Sequence, residues 1–194
     1  MGPVPYRSER EANVFILPRR GILFLMTVFF MTDPGYADRQ STVLVRWLML
    51  SVLVIILDQG TKYLVTTMLG NLPVPVSPFF NLALTYNSGA AFSFLSSAGG
   101  WQRWLFVFLS IVVSVILIHW LRGAPRGEIR LPMALALVLG GALGNLWDRL
   151  TLGAVIDFID LHYRGWHWPT FNIADSAITV GALLLFTTLI GKSE

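Results

Sequence analysis

Eleven acidic residues occur in this 194-residue chain. Six of them, Glu9, Glu11, Asp33, Asp38, Glu128 and Glu194, fall in the terminal stretches or in a short basic turn. The other five are all aspartate: Asp58, Asp148, Asp157, Asp160 and Asp175. Choosing only the shortest carboxylate suits a tight site more than a solvated face. Asp157 interrupts the apolar run Ala154-Val155-Ile156-Asp157-Phe158-Ile159, and Asp175 heads the last apolar segment. Two carboxylates in contact in a low-dielectric site cannot both ionise easily, so one keeps its proton near neutral pH. The ionised member can then take a proton from water while the protonated member polarises an amide carbonyl, giving hydrolysis without metal or covalent intermediate. Spacing alone leaves a second reading open, a helix cap and a salt-bridge partner. An aspartate in a first helical turn is favoured by the macrodipole whatever else it does.

Other polar residues gather near these two. Asn145, Asp148 and Arg149 fall at i, i+3 and i+4, one face of a helix, and Asn172, Asp175 and Thr179 repeat the pattern. Asp148 and Arg149 read equally as an ion pair anchoring a helix end and as substrate contacts. Gly140 and Gly144 form a G-x-x-x-G step with Gly141 beside it, a spacing that lets helices approach closely. His162 and His167 sit among Tyr163, Trp166 and Trp168 and read as part of an interfacial aromatic belt. Neither H-E-x-x-H nor G-x-S-x-G occurs, and with no cysteine there are no thiol nucleophiles, disulfides or cysteine-ligated metals. No metal and no cofactor are expected.

The elements that must carry these groups are membrane helices. Hydrophobic residues make up 55% of the chain and charged residues 13%, about half the ~25% usual in soluble domains. Mean hydropathy is +0.65, which excludes an ordinary soluble globule. The net charge of +3 is small and its basic residues are scattered, so no nucleic-acid partner is expected. Apolar segments cover residues 43–57, 101–121, 131–147 and 173–190. The first is only about 22 Å long as a helix, against a ~30 Å hydrocarbon core, so it must run through Asp58 to Leu64 or beyond. The third likewise takes in Asp148, and the fourth includes Asp175 in its first turn. The expected fold is an α-helical integral membrane protein of four transmembrane helices with a small extracytoplasmic β-sheet. Residues 121–130 (LRGAPRGEIR) carry three arginines against one glutamate, the mark of a cytoplasmic turn. Both termini are then cytoplasmic, and the polar groups of three helices share one layer on the outer side. A carboxylate inside a spanning helix costs on the order of 3 kcal/mol, so such groups face a bundle interior and have a task.

Pro73, Pro75 and Pro78 break the chain after the first helix, and residues 80–87 then alternate apolar and polar, a strand with one greasy side for the leaflet. Turn chemistry at Asn87-Ser88-Gly89 leads into residues 90–95, completing the expected surface sheet. Residues 1–40 form an N-terminal extension apart from a membrane domain at 41–191. Its apolar run at 21–31 is too short to span. The favoured reading is a start codon assigned upstream of Met31, with a surface helix and a cleaved signal as alternatives.

In order the chain shows LDQGTK (57–62), YNSGAAFSFL (86–95), ALGNLWDR (142–149), VIDFI (155–159) and FNIADS (171–176). These blocks resemble those of the lipoprotein signal peptidase family, also called signal peptidase II, over about residues 43–190. The resemblance implies a bacterial inner-membrane aspartyl endopeptidase that cuts prolipoproteins before a diacylglyceryl-modified cysteine. It implies Asp157 and Asp175 as the catalytic pair, with Asp58, Asn87, Asn145, Arg149 and Asn172 supporting them or the substrate. Asp148 falls in a family block with a structural role, beside Gly140 and Gly144 in packing. It further implies contact with membrane lipid, inhibition by globomycin-like cyclic peptides, and a monomer. Gly89, Ala90 and Ala91 leave room for a passing backbone. A proton-coupled carrier is the rival from another class, but it expects polar groups near mid-membrane and access from both sides. A purely structural membrane protein leaves the aspartate layer unexplained.

Overall fold

The computed structural model describes residues 34–70, 72–89, 99–125 and 127–190. Element order is α1 (Pro34–Met68), β1 (Val74–Ser77), β2 (Phe80–Asn87), α2 (Trp101–Arg122), α3 (Arg130–Thr151), β3 (Val155–Tyr163), β4 (Trp166–His167) and α4 (Ile173–Ile190). Among the described residues, three helical stretches are long and apolar enough to cross a membrane: Leu44–Met68, Trp101–Arg122 and Arg130–Thr151. The fourth helix is apolar but shorter, 18 residues. Large apolar side chains such as Met49, Ile56, Phe108, Val115, Leu183 and Phe186 are exposed along these helices. Water would not tolerate a surface of that extent, but lipid is its natural solvent. The chain is an integral membrane protein.

Helix α3 is the hub. More than half of its apolar stretch, 56%, is buried, against 28% for α1 and 22% for α2. Small residues make this possible, because in lipid helices associate through close packing rather than a hydrophobic drive. A Cβ on Gly140 would lie 2.7 Å from Val54 Cβ and 2.8 Å from Ser51 O of α1. One on Gly144 would lie 2.8 Å from the carboxylate of Asp58. Gly141 faces the other way, against the Ala174 carbonyl and Ile178 of α4. Ser51 adds a hydrogen bond from its hydroxyl to Ala136 O at 2.8 Å. At the far end of the helices from the sheet, Trp47, Leu117, Leu121, Leu135 and Leu139 form a buried apolar cluster.

The sheet is antiparallel in the order β1-β2-β3-β4. Strand β2 covers residues 80–87, matching the alternating stretch. It pairs with β1 and with β3. Pro75 is accommodated because β1 is an edge strand. Residues 90–95 lie outside the described residues, as do Ala90 and Ala91. So do residues 1–33, and with them most of the expected N-terminal extension; residues 34–40 begin α1. Arg164 (φ 49°) and Gly165 (φ 81°) both take positive φ, giving the tight β3–β4 hairpin.

Candidate functional site

Asp157 and Asp175 come from different element types, and one short segment registers them. Phe171 bridges to Ile159 of β3, with Phe171 O accepting from the N–H groups of Phe158 and Ile159 at 3.0 and 2.8 Å. The bridge is antiparallel, so the segment runs back along β3, and from the next position the Asn172 side chain reaches Asp157 Oδ1, 2.8 Å from its Nδ2. Asn172 then caps α4: its Oδ1 accepts the Asp175 N–H at 2.8 Å, satisfying an orphan donor of the first turn. A second orphan, the Ala174 N–H, donates to Asp58 Oδ1 of α1 at 2.9 Å. The start of α4 is thereby tied to β3 on one side and to α1 on the other.

Both carboxylates line one cavity of about 780 Å³, together with Asn87, Asn145 and Arg149. Its polar rim includes Thr85, Thr170, Ser176 and Thr179, and its apolar wall includes Val155, Phe171, Ile178 and Val180. Asp157 accepts at both oxygens, from Asn172 Nδ2 at 2.8 Å and Asn87 Nδ2 at 3.2 Å. Asp175 Oδ1 accepts from Asn145 Nδ2 at 2.7 Å. The two amides join, Asn172 Nδ2 donating to Asn145 Oδ1 at 3.1 Å, so the carboxylates are connected through an amide pair. Burial, and after it the charge of Asp175, pushes the Asp157 carboxyl up to about 7. The hydrogen bonds from Asn87 and Asn172 and the charge of Lys62 pull against that rise.

Beneath the cavity lies a buried ionic layer. Lys62 donates to Asp58 Oδ2 and Asp148 Oδ2, both at 2.7 Å, and to Asn145 Oδ1 at 3.2 Å. Gln59 Nε2 donates to Asp148 Oδ1 at 2.9 Å and to Asp58 Oδ2 at 3.1 Å. Asp148 Oδ2 also accepts the Ile156 N–H at 3.2 Å, joining α3 to β3. Asp58 and Asp148 therefore tie elements together and do not line the cavity. The charge partner of Asp148 is Lys62. Arg149 instead donates to Gly89 O at 2.9 Å and stacks over Phe106 at 5.1 Å.

Two side chains escaped the sequence reading. Lys62, within the LDQGTK block, sits inside α1 and is 2% exposed. Its signal was an i, i+4 step from Asp58 within an apolar span. His167, read as part of an aromatic belt, bonds Asp160 Oδ1 at 2.7 Å and stacks on His162. Burial pushes Asp160 up, but the hydrogen bonds from His167 and Asn81 outweigh it and hold this carboxyl below the ordinary value. Among the described residues no group of three or more His, Asp or Glu is arranged to hold a metal ion.

The family profile described as Signal peptidase (SPase) II matches residues 50–191, a stretch that contains every residue of this site. The chain belongs to the signal peptidase II family. Relatives include the lipoprotein signal peptidase of Acinetobacter baylyi, 59% identical over 140 residues, covering 72% of this chain and 78% of the relative. That of Polynucleobacter necessarius is 48% identical over 155 residues, covering 79% and 94%. A bacterial membrane enzyme solved by the in meso method at 2.3 Å resolution superposes with a TM-score of 0.69 at 34% identity, covering 77% of this chain and 90% of that one. Signal peptidase II enzymes are aspartic peptidases, so carboxylates at a cavity are the groups their chemistry requires.

Proposed function

We propose that this signal peptidase II removes the signal peptide from lipoprotein precursors, hydrolysing the bond before a diacylglyceryl-modified cysteine with Asp157 and Asp175 as its acid and base. The observation that carries the reading is the shared cavity: two carboxylates from β3 and α4 face one space, linked through Asn172 and Asn145. Asp157, held up to about 7 by burial and by the Asp175 charge, keeps the proton near neutral pH. Asp175, ionised, takes a proton from water as the water oxygen attacks the scissile carbonyl carbon. Asp157 donates its proton to the carbonyl oxygen, giving a neutral tetrahedral diol. Asp175 then passes its proton to the leaving nitrogen as the C–N bond breaks, while Asp157 recovers its own from the collapsing hydroxyl. Each carboxyl returns to its starting state.

The substrate is itself a membrane helix with lipid tails, so the apolar wall at Ile178 and Val180 suits it. Helix α4, 18 residues and about 27 Å, crosses the bilayer as a fourth span. The arginine-rich connection 121–130 supports a reading with that turn on the cytoplasmic side, both termini inside, the cavity at the outer face of the inner membrane and the sheet on the outer leaflet. Globomycin-like cyclic peptides would compete for the same cavity, and the enzyme works as a monomer.

The test is cleavage of a diacylated prolipoprotein by purified protein in detergent, with a chelator present. Asp157→Asn and Asp175→Asn should fold and leave the substrate uncut. Activity that survives both substitutions, or is lost to the chelator alone, rejects the dyad.

A further inference from the structure

Lys62 is among the largest fully buried side chains of the protein, and the proposed chemistry gives it no step. An ammonium has three donors and no acceptor. Here all three are engaged, by Asp58 Oδ2, Asp148 Oδ2 and Asn145 Oδ1. An ion pair needs only the carboxylates; the third bond has a directional consequence. Only the oxygen of a primary amide can face an ammonium. With Oδ1 of Asn145 held toward Lys62, its Nδ2 is turned to Asp175 Oδ1, 2.7 Å away. Rotated by half a turn, Asn145 would set N–H against the ammonium and oxygen against the carboxylate, both repulsive.

Asn172 cannot impose this orientation alone. Its own amide is fixed by the Asp175 N–H on Oδ1, which turns Nδ2 inward. There its two hydrogens meet three acceptors: Asp157 Oδ1 at 2.8 Å, Ile156 O at 3.1 Å and Asn145 Oδ1 at 3.1 Å. The bond to Asn145 is thus a shared one, and Lys62 is the donor that decides which way Asn145 points.

We propose that Lys62 is a positioning residue whose buried ammonium locks the Asn145 amide, so that Asp175 receives an N–H from Asn145 while Asp157 receives one from Asn172. The proposal rests on the Asp157–Asp175 reading of the site. Lys62 lines no part of the cavity and acts through Asn145. Its charge also reaches Asp157, and a role through charge alone would be independent of Asn145.

A double-mutant cycle separates the two. Lys62→Met by itself strands two buried carboxylates and threatens folding. The cycle is therefore run in Asp148→Asn, where removing Lys62 leaves the net charge of the layer as in the parent protein. Cleavage of a diacylated prolipoprotein peptide is followed in detergent. In that background Lys62→Met should lower kcat about 30-fold, about 2 kcal/mol, with KM within about 2-fold. When Asn145→Leu is already present, adding Lys62→Met should change kcat by less than about 2-fold. Equal losses in both backgrounds, or a change confined to KM, overturn the proposal. Asn145→Asp tests it without touching Lys62: the ion pair survives, the donor to Asp175 does not, and kcat should fall by about 30-fold or more. Parental kcat in Asn145→Asp would also overturn the proposal. Failure of the parent protein to cut the peptide rejects the dyad reading itself; parental cleavage with independent losses rejects only the role of Lys62.

Discussion

Replacing Asp157 by asparagine should change not only activity but the sign of a stability difference across pH. In the folded protein this carboxyl is raised from 3.8 to about 7, first by burial and then by the charge of Asp175. The side chain belongs to a residue only 2% exposed, so solvent screens little of that shift. Between these values the folded chain holds a proton that the unfolded chain has lost. The contribution of the neutral carboxyl is whole below about pH 4 and is lost as pH rises to about 7. Three pH units at about 1.36 kcal/mol each give an upper bound of about 4 kcal/mol. Asparagine removes that pH dependence but adds a constant penalty. It has one acceptor where Asp157 has two, so one of the hydrogen bonds from Asn87 and Asn172 to this side chain is lost and an N–H group faces the donor instead, costing about 1–3 kcal/mol. The variant should therefore be less stable than the parent near pH 4.5 and more stable near pH 8.5. With about 2–4 °C per kcal/mol for a domain of this size, the difference in Tm should swing by at most about 8–16 °C. Tryptophan fluorescence on heating, in one detergent at several pH values, measures it. The difference between variant and parent is the readout, since it cancels the titrating groups that do not interact with Asp157. A difference curve that is flat within about 2 °C, or that slopes the other way, would refute the assignment of a burial-raised carboxyl to Asp157.

Other outcomes follow from the same geometry. If Asp157 supplies the proton, kcat/KM for the diacylated substrate should fall as pH rises past about 7, read from a pH–rate profile of the pair. Asp160 has the opposite sign: its value is lowered, so its contribution is present above about pH 4 and lost in acid. Asp160→Asn should reduce Tm near neutrality, with the deficit shrinking as pH falls below the ordinary carboxylate value. Gly141→Val should cost at least ~1–3 kcal/mol by forcing α3 and α4 apart, seen as lower Tm and less folded protein on size exclusion. Asp148→Asn should lower the yield of folded enzyme more than the turnover of what remains, because its bonds run to Lys62, Gln59 and the β3 backbone rather than into the cavity.

Local pattern was enough for whatever depends on a residue and its chain neighbours. Apolar runs revealed the helices, and the shortness of residues 43–57 required α1 to continue past Asp58, as it does to Met68. Alternation at 80–87 revealed β2, and carboxylates inside apolar stretches singled out Asp157 and Asp175. Strand β3 was not legible, because its run 155–159 is apolar on both faces apart from Asp157 and carries no period of two. Nor were the partners of the polar groups. Whether Asp148 meets its neighbour Arg149 or the distant Lys62 depends on how α1 and α3 rotate about their axes, and Gly140 and Gly144 set that rotation by admitting Val54 and Asp58. Which way Asn145 points depends in turn on a lysine 83 positions earlier in the chain. Hydrogen bonds are directional over a few tenths of an ångström, and periodicity along one helix says nothing of the angle presented by the next. The inventory of groups was therefore written in the sequence, while their pairing was decided only when three helices and a strand closed around them.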